Sequence, residues 1–214
     1  MGYALAAEAV ARGAEVTLLS GPTHLAPPAG VNLVLVTTAD EMFRAALNQA
    51  PGADLVLKAA AVADYRPEER SSRKIKKESL RRAALKRQGP DRAVILRLQP
   101  TPDILEELGR RKKPGQVLVG FAAETGDLES NALGKLRRKN LDLIVANRIG
   151  RKGEGFEADT NRALAIDRDG HRSELPIMTK EAMAARILDL AEPFLAGAAG
   201  RKRGRAVAPR VGGS

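Results

Sequence analysis

Asp64 and Lys74 are the residues around which chemistry can be built in this chain. Asp64 closes the stretch Lys58-Ala-Ala-Ala-Val-Ala-Asp64, and beyond Tyr65-Arg66-Pro67 comes the basic run Lys74-Ile-Lys-Lys77. A carboxylate accepts hydroxyl hydrogens, and clustered ammonium groups hold phosphate oxygens. One loop that offers both suits a nucleotide. The apolar run from Ala53 to Leu57 reads as a buried parallel strand. Ala59 and Ala60 at its carboxyl end are small enough to let a ligand approach the backbone, and open α/β sheets place their ligand crevices there. The residues alone also allow a plainer reading, an ordinary strand exit followed by a solvated basic turn.

The elements that must position these groups alternate helix and strand. Met1 to Arg12 has alanine and leucine at helical spacing and stops at Gly13. Strands follow at Glu15–Leu19 and Val31–Val36, and Thr38-Ala-Asp-Glu41 caps a helix running to about Gln49. After the Ala53–Leu57 strand, Glu78–Arg92 is basic and irregular, and Ala93–Leu98 is a short strand. Thr101 is a natural cap and Pro102 a natural first-turn residue, which predicts a helix over Asp103–Arg111. Gln116–Phe121 and Leu141–Ala146 are further strands, with a helix over Asp127–Asn140 between them. Asp169-Gly170 marks a hairpin turn that adds an antiparallel extension. Thr179 opens a closing helix to Leu195, and the basic remainder from Gly197 reads as disordered. The fold class is α/β, a Rossmann-like, mostly parallel sheet with helices on both faces. A doubly wound fold normally begins with a strand and a phosphate-binding turn. Here the first element is a helix.

A second group of candidates sits on those elements. Asp103 stands at a helix start, where an acid is favourable whatever its role. Lys135 and Lys139 are spaced i, i+4, so both ammonium groups leave one helix face. A merely solvated basic face accounts for them equally well at this level. Phe121 at a strand end is as compatible with core packing as with a pocket.

Composition removes several alternatives. The 214 residues suit one domain with a real core. There is no cysteine, which excludes disulfides, thiolate metal sites and a cysteine nucleophile. His24 and His171 lie far apart in polar contexts, which argues against a histidine metal site or triad. No apolar run has the length of a membrane span, and Met1-Gly2-Tyr3 does not begin a signal peptide, so the chain reads as cytoplasmic. The formal charge is +10, with Arg201, Lys202, Arg203, Arg205 and Arg210 in the tail. That balance suits anionic partners. Aromatic residues are too few for the stacking platform of a single-strand nucleic-acid binder. The Gly-x-Gly-x-x-Gly turn of a nicotinamide-dependent oxidoreductase is missing. A non-enzymatic polyanion binder using the tail is the other competing class.

Taken in order, several segments resemble one family: Lys58–Pro67, Lys74-Ile-Lys-Lys77, Pro102-Asp-Ile-Leu105, Gly120-Phe-Ala-Ala-Glu-Thr125, Lys135-Leu-Arg-Arg-Lys139, Asp142–Asn147 and Gly155-Phe156 with Asn161. The chain is identified by them, from Met1 to about Leu195, as similar to the phosphopantothenate–cysteine ligases. These are usually the C-terminal half of the bifunctional bacterial coenzyme A biosynthesis protein. The resemblance implies ligation of 4'-phosphopantothenate to L-cysteine with CTP and Mg²⁺. The substrate carboxylate attacks the α-phosphate and releases pyrophosphate, and the cysteine amine then displaces CMP from the acyl-cytidylate. It implies a base held at Lys58, Ala59 and Ala60, and a sugar or base contact at Asp64. Lys74 would stabilise the reacting phosphate as the catalytic residue. Pro102, Asp103, Ile104, Leu105, Phe121, Lys135 and Lys139 would complete the CTP pocket. It also implies a homodimer with contacts near Phe156 and Asn161, and a flavin-dependent decarboxylase half upstream. The family's first strand and its Ser-Ser-Gly-Lys loop have no counterpart before Met1. That mismatch yields the expectation that Met1 is an internal methionine of a longer ligase, whose second half-reaction would fail without the loop.

Overall fold

A computed structural model describes residues 1–69, 71, 73–76, 96–124, 126–148 and 160–204. Lys77, the Glu78–Arg92 segment, Thr125 and Phe156 lie outside the described residues. The chain forms two compact units. One comprises Met1–Ala61 with Asp103–Ser214, and the other Val62–Pro102.

In the larger unit the chain alternates α1 (Gly2–Ala11), β1 (Val16–Ser20), β2 (Val31–Leu35), α2 (Ala39–Gln49) and β3 (Leu55–Lys58). After the smaller unit come α3 (Ile104–Arg111), β6 (Val117–Glu124), α4 (Leu128–Arg138), β7 (Leu143–Arg148), β8 (Thr160–Asp167), β9 (Arg172–Thr179) and α5 (Lys180–Gly204). The main sheet has the order β3-β6-β7-β8-β9, so β3 stands at one end of it, and β1 and β2 form a separate parallel pair. β3, β6 and β7 run parallel, whereas β8 and β9 are antiparallel, which is the extension read from Asp169-Gly170. The observed class is therefore the Rossmann-like α/β arrangement the sequence predicts.

Strand alternation sends successive side chains to opposite faces, and helices cover both. On one face Val117, Val119, Leu143, Val145, Ala163 and Ala165 pack with Leu5 of α1 and Met183, Ile187 and Ala191 of α5. The other face carries α3 and α4, whose Ile104, Leu105, Leu108, Ala132 and Leu136 are buried. Burial on both faces is why the parallel strands read as continuous apolar runs.

Local chemistry sets most helix ends. Thr38 and Glu41 form a reciprocal capping box, with Glu41 N donating to Thr38 Oγ1 and Thr38 N donating to Glu41 Oε2, both at 3.2 Å. Thr179 Oγ1 accepts from Ala182 N at 3.2 Å and caps α5. That helix runs on to Gly204, past the Gly197 boundary expected from the sequence, and residues 205–214 are outside the description. At the amino end of β7 the fully buried Asp142 accepts from Leu118 N at 2.7 Å, Arg168 Nη1 at 2.7 Å and Lys112 Nζ at 3.1 Å. The Arg168 guanidinium also lies 4.7 Å from the centroid of the Phe194 ring.

The smaller unit contains β4 (Tyr65–Pro67) and β5 (Leu98–Pro100), paired antiparallel with Tyr65 opposite Pro100. Only Leu98 of the expected Ala93–Leu98 strand belongs to β5, and residues 93–95 are not described. Thr101 closes the ribbon: its N donates to Asp64 O at 2.8 Å and its Oγ1 to Ala63 O at 2.5 Å. The expectation that Thr101 caps the following helix is thereby corrected. Its hydroxyl is already engaged, and Asp103 is the cap of α3.

Candidate functional site

The carboxyl end of β3 and the start of α3 gather several candidate residues of the larger unit, and the Lys139 side chain reaches them from the end of α4. Lys58 is the last residue of β3, half-buried and paired in register with Gly120. Ala59 packs against the core beside α1, where a Cβ added at Gly2 would stand 4.0 Å from the Ala59 Cβ, and Ala60 is exposed.

Asp103 stands at the start of α3 and makes two side-chain bonds. Its Oδ1 accepts from Glu106 N at 3.0 Å as the cap of α3, and its Oδ2 accepts from Lys139 Nζ at 2.6 Å. Burial pushes the Asp103 carboxyl up. The Lys139 bond, the Glu106 N–H and the charges of Lys139 and Lys58 outweigh that and hold it below its ordinary range. One carboxylate thus feels two of the lysines nominated from sequence. Lys135 lies one turn before Lys139 on α4 and is half-buried. The solvated-face alternative for these lysines fails at Lys139, whose side chain is only 14% exposed.

Ile104 and Leu105 are not pocket-lining by their side chains. They are 4% and 5% exposed and anchor the first turn of α3 in the core. A Cβ on Gly120 would approach Leu105 Cδ2 to 2.8 Å, so the strand passes close beneath that turn. The amino end of α3 is what they hold in place, and helix starts favour anions through their unpaired N–H groups. Phe121 is partly buried against the α1–α5 core, which is its packing reading from the sequence.

Asp64, Lys74 and Pro102 belong to the smaller unit. All three are exposed, and the Asp64 carbonyl is held by Thr101 N. Asn147 ends the Asp142–Asn147 segment but is not among the site residues nominated from sequence. It lies at the carboxyl end of β7 opposite Ala123, and alternation puts it on the face of Val145. Its Oδ1 is buried with no hydrogen-bond partner among the described residues. A polar residue ending an apolar parallel strand was the available signal.

The chain matches the family model of the DNA/pantothenate metabolism flavoprotein C-terminal domain over residues 1–194. The chain belongs to that family. The motifs that resemble the phosphopantothenate–cysteine ligases therefore lead to the same place. It is 47% identical over 189 residues to the coenzyme A biosynthesis bifunctional protein CoaBC of Bacillus subtilis, covering 88% of this chain and 43% of that protein. The chain thus spans about half the length of this curated relative. Among solved structures, the C-terminal domain of a CoaBC protein superposes with a TM-score of 0.72 at 39% identity, covering 92% of this chain and 82% of the other. A Cab2 mutant solved in complex with phosphopantothenate-cysteine shares the fold, with a TM-score of 0.58 at 20% identity, covering 78% of this chain and 55% of the other.

Cations converge where parallel strands end and a helix begins, which suits a phosphorylated ligand. No helix among the described residues is long and apolar enough to cross a membrane.

Proposed function

We propose that this chain supplies the ligase step of coenzyme A biosynthesis, joining 4'-phosphopantothenate to L-cysteine through an acyl-cytidylate formed from CTP. The observation that carries the reading is the Lys139–Asp103 contact, with Lys58 nearby, at the end of the parallel strands of a flavoprotein C-terminal-domain fold.

Two anions must be held together while charge builds on phosphorus. Lys58, Lys135 and Lys139 neutralise phosphate oxygens, and the open strand exit at Ala59 and Ala60 accepts the base against the backbone. Asp64 accepts from the sugar or base, and Lys74 stabilises the reacting α-phosphate. The Asn147 Oδ1 is left to accept a hydrogen bond, directly or through water, from the substrate. Mg²⁺ fits this donor set as an ion carried mainly by the phosphates, since the pocket is cationic and its carboxylate Asp103 is engaged by Lys139. When bound, it supplies further neutralisation of the triphosphate. A homodimer and a decarboxylase half elsewhere in the same protein complete the reading.

Pyrophosphate release from CTP, measured with Mg²⁺ and 4'-phosphopantothenate, tests it. Release should require phosphopantothenate, and CMP should follow only when cysteine is added. Pyrophosphate released equally well without phosphopantothenate would make this a nucleotide hydrolase and end the ligase reading.

A further inference from the structure

Two residues outside the pocket decide where Lys139 points. At the end of α4, Asn140 N donates to Arg137 O at 3.2 Å and Leu141 N to Leu136 O at 2.9 Å. With Lys139 as cap, these are the two bonds of a Schellman turn, and its left-handed position falls on Asn140 at φ 51°. Glycine takes that position with least strain. Asparagine brings something glycine lacks: its Nδ2 donates to Gly109 O of α3 at 2.9 Å. Lys112 Nζ holds the same turn by donating to Asn140 O at 2.7 Å.

Gly109 is the matching half of the contact. A Cβ there would collide with Lys139 O and stand 2.8 Å from the Lys139 carbonyl carbon. That neighbour is backbone, which cannot swing aside, so glycine alone lets the end of α4 rest on α3. From this contact the Lys139 side chain reaches back along α3 to Asp103, which lies about 9 Å up the helix from Gly109. The ammonium arrives 2.6 Å from Asp103 Oδ2.

We infer that Gly109 and Asn140 are positioning residues for phosphate recognition: their contact fixes the Lys139 ammonium in the pocket, and they act on the ligand only through it. The inference rests on the nucleotide reading above and deepens it.

Asn140→Gly keeps the left-handed turn and deletes only the amide clamp, whereas Gly109→Ala pushes the helices apart. Each is compared with Lys139→Ala in the full chain, reading the CTP dissociation constant with Mg²⁺, the Tm, and the Asp103 carboxyl titration by ¹³C NMR. Asn140→Gly should weaken CTP about tenfold, the scale of one charge-assisted contact, with little change in Tm. The Asp103 titration should move up toward its position in Lys139→Ala. The Asn140→Gly/Lys139→Ala double variant should bind no worse than Lys139→Ala alone. An unmoved Asp103 titration in Asn140→Gly, or additive losses in the double variant, would overturn the inference. If the titration moves but Lys139→Ala leaves CTP affinity intact, the nucleotide reading falls while the seating of Lys139 stands.

Discussion

Lys139 Nζ bonds Asp103 Oδ2 at 2.6 Å, joining the last turn of α4 to the first turn of α3 across 36 positions of chain. The pair can be dissected because Asp103 does two jobs, capping a helix and holding a cation.

Asp103→Asn keeps a competent cap and removes the charge. Because the Asp103 side chain is 44% exposed, solvent screening limits the stability cost to about 0–1 kcal/mol. Asp103→Ala should cost about 1 kcal/mol more through the lost cap. The sign with pH follows from the lowered carboxyl. Its contribution is fully present above the unfolded value of about 3.9 and is lost as pH falls through the lower folded value. Urea unfolding of the parent chain and of Asp103→Asn should therefore differ at neutral pH, and the difference should shrink below about pH 4 and vanish below the lowered folded value.

Lys74 is the catalytic candidate, and its removal addresses the chemical step. Lys74→Ala should lower kcat for pyrophosphate release by about 10²–10³, as loss of one donor to developing charge does elsewhere. A change confined to KM would reassign Lys74 to ground-state binding.

Asp142 tests the amino end of the sheet, where its partner Lys112 also holds the Asn140 turn. Asp142→Ala strands Lys112 and Arg168 and leaves Leu118 N without its acceptor. Breaking a buried pair commonly costs 3–5 kcal/mol, and the partial exposure of Arg168 places this one at about 3 kcal/mol. The urea midpoint should fall with an unchanged slope. CTP affinity in the folded protein should also fall, because losing Asp142 loosens Lys112 on the Asn140 turn that seats Lys139.

Gly120→Ala would bring a methyl to 2.7 Å from Leu141 Cδ1 and 2.8 Å from Leu105 Cδ2. Both neighbours are side-chain tips that can shift, so overpacking should cost about 1–3 kcal/mol and leave the fold intact. Displacing Leu105 should also disturb the start of α3, so the KM for CTP should rise together with the fall in Tm.

Much of the fold is legible because its signals are local. Thr38 and Glu41 are three residues apart and announce the capping box that forms. Thr179 does the same for α5, and Gly170 at φ 89° for the β8–β9 hairpin. The site is legible as residue types at strand and helix ends: Lys58, Asp103 and Lys139 could each be nominated singly. The motif order points to the family, and the chain's match over residues 1–194 bears that out.

The sequence by itself determined the periodicities, the caps and the candidate cations, since each depends on neighbours within a turn or two of chain. Tertiary structure decided which of two competent caps is used. Thr101 and Asp103 are equally plausible locally, and the bond from Thr101 Oγ1 to Ala63 O settles the matter. It also decided that Asp142, an ordinary acid beside an apolar run, is fully buried between Lys112 and Arg168. Lys139 meets Asp103 only because Gly109 lets α4 settle onto α3. Contacts of that kind depend on the order of strands in the sheet and on how closely two backbones approach, and neither is written in the spacing of residues along one element.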